Sequence, residues 1–251
     1  MNMTVIPVDD IRPIGRAEGK VLATTENERV FDLLRSLTDD DWSKPTDCPA
    51  WDVRALSGHI LGGMEGFCSF GRLINMMRSA KKEAGEGSFI DGMTTVQVRE
   101  RADLTQAELL RRLGEAGPRS ARFRSRVPAP FRVTSMKQVL LSGTTERWKM
   151  SYLLDTILTR DTWMHRVDIA RATGRDLVLT PAHDGRIVAA AVAEWARRHG
   201  RPFILELTGP AGGTFTRGSD GEAISLDAVE LCRIFSGRDA GSGLLTQEVP
   251  F

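Results

Sequence analysis

Cysteine is scarce in this chain: Cys48, Cys68 and Cys232 are the whole set. An odd and sparse count supplies no disulfide framework and fits a reducing compartment. Long apolar runs are missing too, and nothing approaches the ~18 residues that a membrane-spanning helix needs. The opening residues MNMTVIPVDDIRP have no basic start, apolar stretch or small-residue cleavage site of a secretory leader. Charge of one sign is also lacking. Lys and Arg number 34 against 33 Asp and Glu, a formal net charge of +1, whereas duplex-binding proteins usually carry a basic excess. No internal repeat or low-complexity tract occurs. These absences predict a cytoplasmic protein with no membrane and no nucleic-acid partner. Composition leaves the oligomeric state open between monomer and homodimer.

What is present suits a globular protein. The 251 residues are 41% hydrophobic and 27% charged, enough apolar material for one large domain or two small ones. The first part reads as helical. Val30, Phe31, Leu33, Leu34 and Leu37 mark the apolar side of a helix over roughly 19–37. Asp52 is placed as the N-cap of a long helix running to about Lys82, with an inward seam of Val53, Leu56, Ile60, Gly63, Phe67, Phe70, Ile74 and Met77. Gly85 and Gly87 predict a loop. Thr105-Gln106-Ala107-Glu108 has the form of a capping box opening a third helix. Pro128-Ala129-Pro130 is a break, and a fourth helix is predicted from about Thr144 to Thr173, closed by Gly174.

The texture changes after Gly174. Thr180-Pro181 starts a short helix that ends near His199-Gly200. Phe203 to Thr208 alternates like a strand, Thr214–Arg217 and Ala223–Leu226 are weaker strands, and Asp227 caps a last helix over Ala228–Phe235. The expectation is a mainly α protein: a four-helix bundle over 1–175 and a small α/β domain over 176–251.

The fourth helix carries the chemical signal. Its seam reads Leu154, Leu158, Asp161, His165, Asp168, Ala172, so leucines give way to ionisable groups. Asp161 and His165 are four apart and share one face. A carboxylate and an imidazole in an apolar stripe are costly unless something pairs with them, and a divalent metal would do so. His59, among Gly58, Gly62, Gly63 and Gly66, borders the inward stripe of the second helix. Repeated helical glycines cost about 1 kcal/mol each relative to alanine, which points to close helix approach or to open space beside the histidine. Three protein ligands on facing helices would leave coordination positions open, as catalytic sites require. The alternative is a satisfied core histidine and an ordinary helix-surface Asp–His pair. His183 and His199 are read as surface residues near helix ends.

Two segments resemble a known family. Thr46-Asp47-Cys48-Pro49-Ala50-Trp51-Asp52-Val53-Arg54-Ala55-Leu56-Ser57-Gly58-His59 is similar to the CPGW-x-V-x-[DE]-L-x-x-H segment of the mycothiol-dependent maleylpyruvate isomerase family, within the DinB-like superfamily. Arg160-Asp161-Thr162-Trp163-Met164-His165-Arg166-Val167-Asp168-Ile169-Ala170-Arg171-Ala172-Thr173-Gly174 resembles its second signature. The stretch from Leu226-Asp227 to Phe251 looks like the family's C-terminal domain. The resemblance implies a DinB-like four-helix bundle with a small α/β domain and a divalent metal, most often zinc, on His59, Asp161 and His165. The isomerase itself is expected to carry glutamate where this chain has Asp161. The resemblance also implies mycothiol, or another low-molecular-weight thiol, as cosubstrate.

On that basis a metal-activated thiolate would attack a small electrophilic substrate, making the chain a thiol S-transferase or a cis–trans isomerase. Asp168 is expected to orient a ligand histidine, or else to pair with Arg171 or Arg54. Arg238 is expected to bind a substrate carboxylate, or else to act as a helix C-terminal cation. Arg166 and Trp163 are placed beside the cofactor, with core packing as the other reading of Trp163 and Trp51. Cys48 reads either as a nucleophile or, more naturally, as part of a structural turn. Cys68 and Cys232 read as core fillers. Two other functional readings stay open: a non-catalytic bundle that binds a ligand or a protein, and a metal hydrolase using metal-bound water.

Overall fold

In a computed structural model of the chain, residues 5–251 are described and divide into two compact units. One comprises Arg16–Thr134 and Met150–Leu177; the other comprises residues 5–15, Ser135–Lys149 and Val178–Phe251.

The first unit is helical. Its long helices are α1 (Arg16–Arg35), α2 (Val53–Gly66), α3 (Phe70–Ala84), α4 (Phe89–Arg99), α5 (Gln106–Arg126) and α8 (Leu158–Thr173), with short α6 (Ala129–Arg132) and α7 (Met150–Tyr152) between the last two. Helices α1, α2, α5 and α8 form the bundle. Val30, Leu34, Leu56, Leu61, Leu109 and Ile169 meet in its core, none more than 1% exposed. The caps are those read from sequence. Asp52 accepts from the Ala55 N–H at 2.7 Å, Thr105 accepts from the Glu108 N–H at 3.2 Å, and Gly174 closes α8 at φ 67°.

Three elements depart from the sequence reading. The long second helix is two. The chain breaks at Phe67–Cys68, and Ser69 caps α3 by accepting from the Arg72 N–H. The apolar spacing continues across the break, but Phe70, Ile74 and Met77 are 41%, 46% and 41% exposed rather than inward. The predicted loop after Gly87 holds α4, capped by Ser88. It packs so closely on α3 that a Cβ on Gly92 would fall 2.5 Å from the Ala80 carbonyl oxygen. The fourth helix starts at Met150, not Thr144. Thr145–Lys149 is instead a strand of a hairpin, turned by Gly143 at φ 79°, where a side chain would be strained.

The second unit is a four-stranded sheet with two helices. Strands β1 (Val5–Pro7), β4 (Phe203–Thr208), β5 (Gly213–Arg217) and β6 (Glu222–Asp227) lie in the order β1-β5-β4-β6. β4 runs antiparallel to β5 and parallel to β6, while β1 runs parallel to β5. Phe203, Leu205 and Leu207 turn inward, as their alternation predicts. They face helices α9 (Arg186–His199) and α10 (Ala228–Phe235), whose Trp195 ring lies 4.7 Å from Phe203 and 5.5 Å from Phe235. The hairpin of β2 (Ser135–Val139) and β3 (Thr145–Lys149) belongs to this unit too, because Glu248 accepts from the N–H groups of Leu141 and Ser142. The two units are therefore built from interleaved segments: β1 joins the four-stranded sheet, and the hairpin, a separate two-stranded sheet, belongs to the same unit. His183 is also buried at 6% exposure rather than on the surface, and His199 packs on Trp195 at 4.3 Å. Among the described residues no helix is long and apolar enough to cross a membrane.

Candidate metal centre

Helices α2 and α8 bring His59, Asp161 and His165 together. The Asp161 carboxylate bridges the two imidazoles: Oδ2 lies 3.6 Å from Nε2 of His59 and Oδ1 lies 3.3 Å from Nε2 of His165. The rings are 5.0 Å apart and nearly perpendicular. In tetrahedral zinc sites with bonds of about 2.0–2.1 Å, neighbouring donors sit about 3.3 Å apart. The observed spacing thus fits a single small cation between the three groups, which all lie within 4.8 Å of one another. Both histidines are buried, and Asp161 is one-third exposed, so the site opens on the carboxylate side.

The supports of the two imidazoles differ. Nδ1 of His165 donates to Oδ2 of the fully buried Asp168 at 3.0 Å. That bond holds a proton on Nδ1 and leaves Nε2 facing Asp161. His59 has no such support. Its Nδ1 is buried without a hydrogen-bond partner among the described residues, and the ring is held by stacking on Trp51 at 4.9 Å and 28°.

Electrostatics within the triad favours a cation. Burial alone pulls the His165 pKa down and pushes that of Asp161 up. The mutual attraction overrides both. The field and hydrogen bond of Asp161 hold His165 well above 6.5, and the two histidines hold Asp161 well below 3.8. A pocket that retains a proton this strongly offers the same negative environment to a metal ion.

The other expected site residues fall elsewhere. Arg166 is not beside the cluster. Its guanidinium forms a buried pair with Glu26 on α1, donating at 2.6 and 3.2 Å. Trp163 is fully buried in the core. Helical spacing puts residues 163 and 166 on other sides of α8 than the Asp161/His165 face. Arg171 pairs with Asp47 and Arg54 with the Leu104 carbonyl, while Asp168 serves His165. Arg238 lies in the other unit, after Gly237 at φ 74°.

Two neighbours were undervalued by the sequence reading. Trp51 packs against the bundle core and also stacks on His59 as a wall of the cluster. Cys48, read as part of a structural turn, lies with Sγ 3.6 Å from Oδ2 of Asp168 and 3.9 Å from Nδ1 of His165. Sequence separation hid that contact: Cys48 is 117 residues from His165. The helical glycines fulfil both expectations. A Cβ on Gly62 would collide with Gln97 of α4 at 2.6 Å, whereas a Cβ on Gly63, one turn from His59, meets nothing within 4 Å.

A helical bundle with an inward His–Asp–His set defines a class, and the comparisons with known proteins identify it. The chain belongs to the family described as mycothiol maleylpyruvate isomerase N-terminal domain, whose model matches residues 23–170. Two solved structures, of the mycothiol-dependent maleylpyruvate isomerase and of a histidine-to-alanine mutant of it, each match with a TM-score of 0.57 at 17% identity. Each alignment covers 97% of both chains, so the fold is that of a DinB-like bundle with its small α/β partner. Comparison with the curated proteins finds no match.

Proposed function

We propose that this chain is a metal-dependent enzyme that uses a low-molecular-weight thiol, mycothiol, against a small electrophile, as a cis–trans isomerase or S-transferase. The observation that carries the reading is the convergence of two imidazole Nε2 atoms and one carboxylate at donor spacing. His59, Asp161 and His165 would hold a divalent cation, zinc being the best match to a nitrogen-rich set with an oxygen donor. When bound, the cation supplies the positive charge that lets a thiol ionise near neutral pH.

The chain's own groups account for the rest. Asp168 keeps the His165 proton on Nδ1, so that Nε2 stays a donor. Trp51 orients His59 by stacking. The missing side chain at Gly63 leaves space one turn along from His59, room in which a small ligand would lie. A thiolate that adds to the carbon–carbon double bond of a cis-enone breaks its π bond. Rotation about the resulting single bond and loss of the same thiolate restore the alkene as trans, with no net change in atoms or electrons. The solved relative is named for maleylpyruvate, an electrophile of this type.

The experiment is thiol-dependent turnover of maleylpyruvate by purified protein, with and without a chelator. Activity that needs both mycothiol and metal supports the reading. Turnover unaffected by thiol removal, or by complete metal removal, would refute it.

A further inference from the structure

The helix that carries Asp161 and His165 does not start as an α-helix. Between α7 and α8 the chain forms a π turn over Leu153–Ile157, in which the Leu158 N–H reaches the Leu153 carbonyl five residues back. A π turn inserts one residue into the helical repeat and rotates everything after it by about 100° relative to an unbroken α-helix. Asp161 follows one helical turn beyond Ile157, and His165 one turn later. Their direction therefore depends on that insertion being kept.

Side chains from two other elements hold it. Arg124 of α5 donates from Nε and Nη2 to the Leu154 carbonyl at 2.8 and 2.5 Å, and from Nη2 to Oγ1 of Thr159 at 2.8 Å. Its fork thus joins a residue inside the turn to one on the first turn of α8. Arg132 of α6 pairs with Asp155, within the turn, and donates to the Arg124 carbonyl at 3.0 Å. On the α1 side there is no room for a side chain: a Cβ on Gly19 would lie 2.9 Å from the Asp155 carbonyl oxygen.

Keeping a guanidinium here is costly. Arg124 is only 5% exposed, and burial lowers its pKa to about 10 although the fields of Asp155 and Asp161 raise it. A neutral donor would satisfy one carbonyl at lower cost. Only a planar fork spans two groups one helical turn apart with fixed geometry.

We propose that Arg124 is a positioning residue of the metal centre: its fork locks the π turn, and the locked turn sets the rotation of α8 that aims Asp161 and His165 at His59. The proposal rests on the metal reading of that site.

The test titrates wild type, Arg124→Met, Arg124→Lys and Val30→Ala with zinc and with cobalt(II), alongside thermal unfolding. Val30→Ala is a core truncation outside the turn, so it separates lost stability from lost positioning. Arg124→Met should bind zinc about 10- to 100-fold more weakly, as for other groups that orient metal ligands. Its cobalt visible bands should weaken or shift, and Arg124→Lys should recover part of both. Val30→Ala, though less stable, should keep wild-type affinity and bands. Wild-type affinity and spectrum in Arg124→Met would overturn the proposal, as would an equal loss in Val30→Ala. If Arg124→Met does not fold, Arg124→Lys carries the test: weaker affinity with shifted bands supports it, and wild-type behaviour overturns it. Failure of wild type to bind either ion would remove the metal reading together with this proposal, an outcome distinct from all the others.

Discussion

Nδ1 of His165 and Oδ2 of Asp168 lie 3.0 Å apart, with the carboxylate wholly shielded from solvent. This bond fixes which imidazole nitrogen faces Asp161 and, in a low-dielectric setting, makes that nitrogen a better donor. Asp168→Ala should lower zinc affinity by about 10- to 100-fold with little loss of helicity. Asp168→Asn, which keeps an acceptor without the charge, should fall between. Isothermal titration with zinc checks both. Unchanged affinity in Asp168→Ala would show that the bond plays no part in metal binding.

The raised pKa of His165 gives metal uptake a pH dependence of definite sign. Because His165 holds its proton well above 6.5, zinc must displace that proton at neutral pH. Affinity should rise by about tenfold for each unit increase in pH while one proton is displaced per ion, and level off above the raised His165 pKa. Zinc titrations at pH 6, 7 and 8 measure the slope, and a flat profile would contradict the coupling.

Glu65 of α2 anchors a second charged cluster. Its carboxylate accepts from Arg101 at 2.6 and 3.1 Å and from Arg112 at 2.6, 2.7 and 2.9 Å, and the residue is buried. Burial raises its pKa, but the two guanidinium groups outweigh that and hold it below 4.5. Glu65→Gln leaves two cations without their partner and should cost about 3 kcal/mol. The stabilisation is present above the unfolded-state pKa and is lost as pH falls through the depressed folded value. The gap in melting temperature between wild type and Glu65→Gln should therefore be full at pH 7 and shrink in acid below 4.5. A gap independent of pH would contradict this.

Two adjacent glycines of α2 should respond in opposite ways. Gly62→Ala drives a Cβ into Gln97 at 2.6 Å and should destabilise by about 1–3 kcal/mol, as overpacking does. Gly63→Ala meets nothing within 4 Å and should stabilise by up to about 1 kcal/mol through helix propensity. Denaturant unfolding separates them. If the space beside Gly63 admits substrate, Gly63→Leu should raise KM more than it lowers kcat.

Much of this was legible in the sequence because local physics decided it. Asp52, Thr105, Gly174 and Asp227 cap helices through bonds that span a few residues, and all four act where the sequence placed them. The pairing of Asp161 with His165 follows from helical spacing alone. Tertiary packing decided the rest. Phe70, Ile74 and Met77 keep the period of the preceding helix yet face solvent, because Ser69 starts a new helix in a new direction. Arg166 shares a helix with the triad, but its partner Glu26 lies 140 residues away, a pairing that no local pattern announces. Likewise Cys48 and Trp51 reach the centre only because the loop before α2 folds back across α8, as the contact of Cys48 with His165 records.

The central claim is that His59, Asp161 and His165 hold one cation with a position left for sulfur. The most direct measurement is the electronic spectrum of the cobalt(II)-substituted protein during titration with mycothiol. The account predicts uptake of one cobalt ion per chain and a saturable thiolate-to-cobalt charge-transfer band in the near ultraviolet, both lost in His59→Ala. Full cobalt uptake with no such band at saturating thiol, or a band that survives in His59→Ala, would contradict it.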